Sequence, residues 1–194
     1  LRTGATVLTK TVFLPPFPRA FEPPHLGEPP YTVGIPLSFL PNVPRIAALV
    51  DEIAARPSVK GIVPRKHPRC TLDLAHLTRY EIASLQPKGA TADEFFDQVQ
   101  LVLVPNSGVN IEALHRGRPT FFTPGTDEIP DDYYGFFASG ILPEFRADLL
   151  DDRERLLAFF NADWQARFGD LDETVHMPLE AARRAVATAF LQLM

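Results

Sequence analysis

The pattern of apolar and polar positions changes character at Tyr31. From there Tyr31-Thr32-Val33-Gly34-Ile35-Pro36-Leu37 reads as a buried strand with a proline near its end. Ile46, Leu49, Val50 and Ile53 recur at helical spacing, which predicts a helix over Val43 to Arg56, closed by Pro57. Val59 to Pro64 predicts a second strand and Glu81 to Leu85 a third. Thr91 followed by Glu94 is a capping-box pair, so a helix is expected from there to about Gln98. Leu101-Val102-Leu103-Val104 is apolar throughout, as expected of a fourth strand covered on both faces. Ser107 is placed to cap a helix reaching about Arg116, with Gly117 ending it, and Pro119 to Phe122 predicts a fifth strand. Beyond Thr126 the pattern turns helical. The best candidates are Asp151 to Phe168, carrying Leu156, Leu157, Phe159, Phe160 and Trp164, and Pro178 to Leu193.

Strands alternating with helices at short intervals imply a parallel sheet with crossover helices on both faces, a Rossmann-like α/β fold. Upstream the rules differ. Ten of the 20 prolines fall between Pro15 and Pro44, and the pairs Pro15-Pro16, Pro23-Pro24 and Pro29-Pro30 exclude helix interiors and central strands. Residues 1–30 are expected to be a Pro-rich lead-in, either a tail or an interdomain connector wrapping the next domain. Residues 31–194 are expected to form one Rossmann-like domain with C-terminal helices.

Composition narrows the function classes. A hydrophobic fraction of 45% and a charged fraction of 22% belong to a globular chain. The net charge of −5 argues against a general nucleic-acid binder. No run approaches the roughly 18 apolar residues of a membrane span. The expected setting is cytoplasmic, with membrane contact limited to peripheral association at the inner membrane. One cysteine, Cys70, excludes an internal disulfide, and the five histidines show no ligand spacing, so no metal and no cofactor is expected.

In an open α/β sheet, ligands bind beyond the carboxyl ends of the strands. Three loops qualify. The second strand runs into Arg65-Lys66-His67-Pro68-Arg69, whose Arg65, Lys66 and Arg69 cations and His67 imidazole suit phosphate; the alternative is a solvated basic turn. The fourth runs into Pro105-Asn106-Ser107-Gly108, where a helix start offers an anion site at Ser107, Gly108 and Val109. Glu112, just over a turn further on, could accept hydrogen bonds from ribose hydroxyls. The alternative makes Ser107 a cap and Glu112 a surface charge. The fifth runs into a loop where Thr126, Asp127 and Glu128 could orient sugar hydroxyls or be solvated. There is no Walker loop and no G-x-G-x-x-G.

Two stretches carry a family resemblance: Ile62-Val63-Pro64-Arg65-Lys66-His67-Pro68-Arg69, and Asn106 through Pro119 with its Ser107-Gly108, Glu112-Ala113-Leu114 and Gly117-Arg118-Pro119. Residues 31–126 resemble the C-terminal, donor-binding domain of GT-B glycosyltransferases. The motifs are similar to the His-Pro and serine motifs of bacterial capsule enzymes of the polysialyltransferase and capsular Kdo transferase type. That resemblance implies His67 and Ser107 on nucleotide phosphate, Glu112 near the ribose, and a CMP-sugar donor, or a UDP-sugar. It further implies a glycan or lipid-linked glycan acceptor, and an N-terminal GT-B half that supplies the catalytic base. Asn106 to Pro119 is also similar to the non-hydrolysing UDP-GlcNAc 2-epimerases of the same fold. A non-catalytic assembly module is the third reading.

Overall fold

The structure, a computed structural model, describes residues 22–105, 107–129 and 131–161. Four parallel strands, β1 (Tyr31–Pro36), β2 (Val59–Arg65), β3 (Leu101–Val104) and β4 (Thr120–Phe122), form one sheet in the order β2-β1-β3-β4. Between them lie helices α1 (Val43–Ala54), α2 (Ala92–Gln98) and α3 (Val109–His115), and α4 (Arg153–Asn161) follows. The fold class is the expected one: a Rossmann-like parallel sheet flanked by helices.

Local chemistry explains most boundaries. Asn42 accepts the Arg45 N–H through its side chain (3.2 Å) at the start of α1, and Ile46, Leu49, Val50 and Ile53 of that helix are buried. Thr91 and Glu94 close both halves of the capping box: Glu94 N–H donates to Thr91 Oγ1 (3.1 Å) and Thr91 N–H to the Glu94 carboxylate (2.6 Å). The two sheet faces fill separate clusters. Tyr31, Val33, Ile35, Leu101, Leu103 and Phe121 join α1 and α4. Val63, Val102 and Val104 pack with Phe95, Phe96 and Val99 from the α2 segment and Ala113 of α3. At Gly34 the second cluster lies close against the sheet: a Cβ there would lie 2.6 Å from the Phe95 ring tip and 3.0 Å from Val99.

Two expectations are corrected. Glu81–Leu85 is not a strand but a single parallel bridge, Ala83 beside Ile62. Ile62 donates to Ile82 O and accepts from Ser84 N–H, and Pro64 O accepts from Gln86 N–H. Pro64 has no N–H, so the next ladder bond toward residue 84 cannot form and the pairing stops. The helix expected from Ser107 instead begins at Val109 with Gly108 at the capping position, which carries no side-chain cap. Of the C-terminal helices, α4 lies within Asp151 to Phe168; the second, Pro178 to Leu193, falls outside the described residues, as do Trp164 and residues 1–21 of the lead-in.

Residues 22–27 run extended across the end of α3. His25 N–H donates to Gly117 O (2.9 Å), Glu22 N–H to His115 O (3.1 Å), and Leu26 is buried. Arg153 of α4 reaches the same segment, donating to Leu26 O at 2.8 Å. Gly117 (φ 62°) ends α3 in the left-handed region, and a Cβ there would meet Pro23 O at 2.3 Å.

Candidate functional site

The strand order fixes where a ligand can enter. The chain steps from β1 to β2 on one side and then crosses back to β3 on the other, so the switch point lies between the carboxyl ends of β1 and β3. Because all four strands are parallel, the turns after β1, β2, β3 and β4 open on one rim. The His67 turn after β2 and the Ser107 turn after β3 stand on either side of β1. At the sheet, the strands that carry them are two spacings apart, about 10 Å.

The β2 turn is cationic and unneutralised. Arg65, Lys66 and Arg69 form no ion pair with any carboxylate among the described residues, nor do Lys60, Lys88 and Arg118, whereas Arg45, Arg56, Arg79, Arg116, Arg146, Arg153 and Arg155 all do. The Arg65 guanidinium lies over the Phe95 ring, 5.7 Å from its centre, and Lys66 donates to Leu72 O at 2.6 Å. His67 Nδ1 accepts the Arg69 N–H at 3.1 Å. Burial first, then the charges of Arg69 and Arg65, hold the His67 pKa below the ordinary histidine value. At neutral pH the imidazole is therefore a hydrogen-bond donor and not a further cation.

The β3 turn is more closed than a free helix start. Ser107 Oγ accepts the Val109 N–H (3.2 Å), and Ser107 O accepts the Asn110 N–H (3.2 Å). Ile111 N–H turns back to Gly108 O at 3.2 Å. Of the N–H groups expected to face a phosphate, that of Val109 is thus engaged within the turn, because Ser107 sits two residues before the helix and folds over it. What remains open is Gly108, where an added Cβ would meet nothing within 4 Å. Glu112 pairs with Arg116 at 3.3 Å, and Arg116 also pairs with Asp93. The Glu112 carboxylate is thereby drawn along the helix toward Arg116.

The β4 turn is built mainly for structure. Thr126 (3% exposed) and Asp127 (5%) are buried. Thr126 Oγ1 donates to Thr123 O at 2.7 Å, and Asp127 Oδ1 accepts the Ile129 N–H at 3.2 Å. Of the three residues that could orient sugar hydroxyls or be solvated, Glu128 alone has an exposed side chain. Further on, Asp131 accepts the Gly125 N–H (2.8 Å), and Asp132 accepts those of Phe137 and Ala138.

Sequence reasoning overlooked the loop after β1. Pro41 bridges Asp127, Asn42 N–H donates to Thr126 O (3.0 Å) and Glu128 N–H to Leu40 O (2.9 Å), so the β1 and β4 turns are one backbone-bonded unit. This loop brings buried Ser38 and exposed Phe39 and Leu40 to the switch point. It carries no charged residue, so a search for phosphate-binding groups passes over it. The rule that ligands enter at the switch point was the signal that could have found it. Phe39 and Leu40 are exposed large apolar side chains just past the carboxyl end of β1.

Among the described residues no group of His, Cys, Asp and Glu side chains could hold a metal ion, and no helix is long and apolar enough to cross a membrane. No family model matches the chain, and no curated protein matches it in sequence. Among solved structures, the glycosyltransferase SnogD from Streptomyces nogalater aligns with a TM-score of 0.51 at 18% identity, over 93% of this chain and 54% of its own. CalG4, the calicheamicin glycosyltransferase, aligns at 17% identity over 87% of this chain and 44% of its own, with a TM-score of 0.49. The glycotransferase of kitacinnamycin aligns at 17% identity over 88% and 45%, with a TM-score of 0.47. The likeness to SnogD is one of fold alone, and the chain spans about half the length of these three structures.

Proposed function

We propose that this chain is the donor-binding half of a glycosyltransferase that moves a sugar from a nucleotide-sugar to a growing surface or capsular glycan, or to a lipid-linked glycan. The observation that carries this reading is the unneutralised cationic turn, Arg65-Lys66-His67-Pro68-Arg69, at the rim beside the switch point of a Rossmann-like sheet. In a chain of net charge −5, three cations left without carboxylates at a ligand-binding rim suit an anionic ligand. The His-Pro and serine motifs favour a CMP-linked over a UDP-linked donor.

In this reading the phosphates lie between the His67 and Ser107 turns. Arg65, Lys66 and Arg69 supply fixed positive charge, the neutral His67 donates one hydrogen bond, and Gly108 leaves room for close approach. Glu112 lies near the ribose and Glu128 toward the sugar. An acceptor hydroxyl attacks the anomeric carbon while the bond from that carbon to the phosphate oxygen breaks. The hydroxyl proton passes to a base in a second, N-terminal half, and the departing nucleotide takes the bonding electrons as a phosphate oxyanion. The cationic turn stabilises that developing charge more than it stabilises the bound donor.

The test is calorimetric titration of the intact enzyme with CMP- and UDP-sugars. His67→Ala and Ser107→Ala are each expected to weaken binding by about 1–3 kcal/mol, the worth of a charge-assisted hydrogen bond. Unchanged affinity in both variants overturns the site. Conversion of UDP-GlcNAc to UDP-ManNAc without acceptor identifies an epimerase instead. No saturable binding of any sugar nucleotide identifies an assembly module.

A further inference from the structure

We propose that Phe39 is a positioning residue for His67: its ring holds the imidazole so that Nδ1 stays turned to the Arg69 N–H and Nε2–H is the hydrogen left to offer a ligand oxygen. The proposal deepens, and rests on, the reading of His67 as a ligand group.

Phe39 stands three residues past the end of β1, at the switch point, and is 46% exposed. A phenyl ring so placed loses contact with the core it could have joined, yet it is not without a neighbour. Its centroid lies 5.9 Å from that of the His67 ring, with the planes tilted by 57°. The two loops that carry these rings are tied at their roots, where Leu37 N–H donates to Arg65 O at 2.9 Å. Phe39 therefore meets His67 from a neighbouring backbone held in register with β2.

The other contact on His67 settles its tautomer. An amide N–H can only donate, so the 3.1 Å bond from Arg69 N–H makes Nδ1 an acceptor. In the neutral ring the proton then sits on Nε2. No described residue is bonded to Nε2. The charged groups that act on the imidazole, Arg69 and Arg65, come from its own turn, and both favour the neutral form. The β1 loop from Leu37 to Asn42 contributes no titratable side chain, nor do Pro105, Ser107 and Gly108 of the β3 turn. Phe39 is thus the apolar wall that keeps water off one side of the ring and limits its rotation about the Cβ–Cγ bond. Without that wall the ring can turn away from Arg69 and sample both tautomers.

The test is the long-range proton–nitrogen spectrum of the histidine rings in the full chain, recorded across pH without ligand, with His67 assigned by its loss in His67→Gln. The wild type is expected to show the Nε2–H tautomer and a titration midpoint below that of an ordinary histidine. Phe39→Ala is expected to mix the tautomers and move the midpoint upward, while Phe39→Tyr keeps both as in the wild type. An unchanged tautomer and midpoint in Phe39→Ala overturns the proposal. So does a Phe39→Tyr spectrum that moves as the alanine variant does. Phe39 is at the surface, so both variants are expected to fold. Because no nucleotide is present, the spectra test the hold of Phe39 on the ring and sugar-nucleotide titration tests the ligand role of His67, so the two fail separately.

Discussion

Replacing Gly117 by alanine asks two things of the backbone at once. Gly117 has a φ of 62°, where an L side chain costs about 1–2 kcal/mol. Its new Cβ would also stand 2.3 Å from Pro23 O and 2.9 Å from His25 Nδ1, and the nearer of these is backbone, which cannot swing aside as a side-chain tip can. The extended segment must lift, which breaks the bonds from His25 N–H to Gly117 O and from Glu22 N–H to His115 O. Two such bonds are worth about 1–3 kcal/mol net. The stiffer unfolded chain returns about 0.4–1 kcal/mol. The net loss is about 2–4 kcal/mol, read from urea denaturation, with faster hydrogen exchange at the Glu22 and His25 amides. A loss below about 1 kcal/mol with those amides still protected would refute the claim that residues 22–27 are docked through this glycine.

Gly34→Ala tests a different close approach. The Cβ would sit 2.6 Å from Phe95 and 3.0 Å from Val99, both buried, so overpacking should cost about 1–3 kcal/mol in the same denaturation assay, with the Glu22 and His25 amides unaffected. Thr126→Val leaves Thr123 O without its buried donor and is expected to cost about 1–3 kcal/mol, whereas Glu128→Gln, at the surface two residues on, should stay within about 0.5 kcal/mol. His67 also predicts a pH dependence. Its folded pKa is lowered, so between that value and the unfolded value of about 6.5 the unfolded chain binds more protons. The contribution of His67 to stability is therefore complete above about pH 6.5 and is lost as pH falls through the folded pKa; His67→Gln should flatten that window in denaturation curves taken at successive pH values.

What the sequence made legible is what neighbouring residues decide among themselves. Thr91 and Glu94 announce α2 because the capping box closes within one turn. Gly117 marks the end of α3 because the left-handed turn it adopts is local. The basic turn was visible as a cluster of charge at the end of an apolar run. Contacts between distant residues were not visible. Glu81–Leu85 looks like a strand until it is paired with Pro64, which has no N–H to give. Thr126 and Asp127 look like sugar ligands until Pro41 and Asn42 are laid against them. Ser107 and Gly108 read as a helix start open to an anion, yet the Ser107 hydroxyl and carbonyl take the Val109 and Asn110 N–H groups. Phe39 and Leu40 carry no charge to draw notice, and only the strand order places them at the point of ligand entry.

Amide hydrogen exchange of the intact enzyme, with and without saturating CMP-sugar, bears most directly on the claim that the nucleotide phosphates lie between the His67 and Ser107 turns. The account predicts slowed exchange at Ser38, at His67 to Arg69 and at Gly108, with the Glu22 to Leu26 segment at the far end of the sheet unchanged. Protection confined to Glu22 to Leu26, or none at either turn at saturating donor, would contradict it.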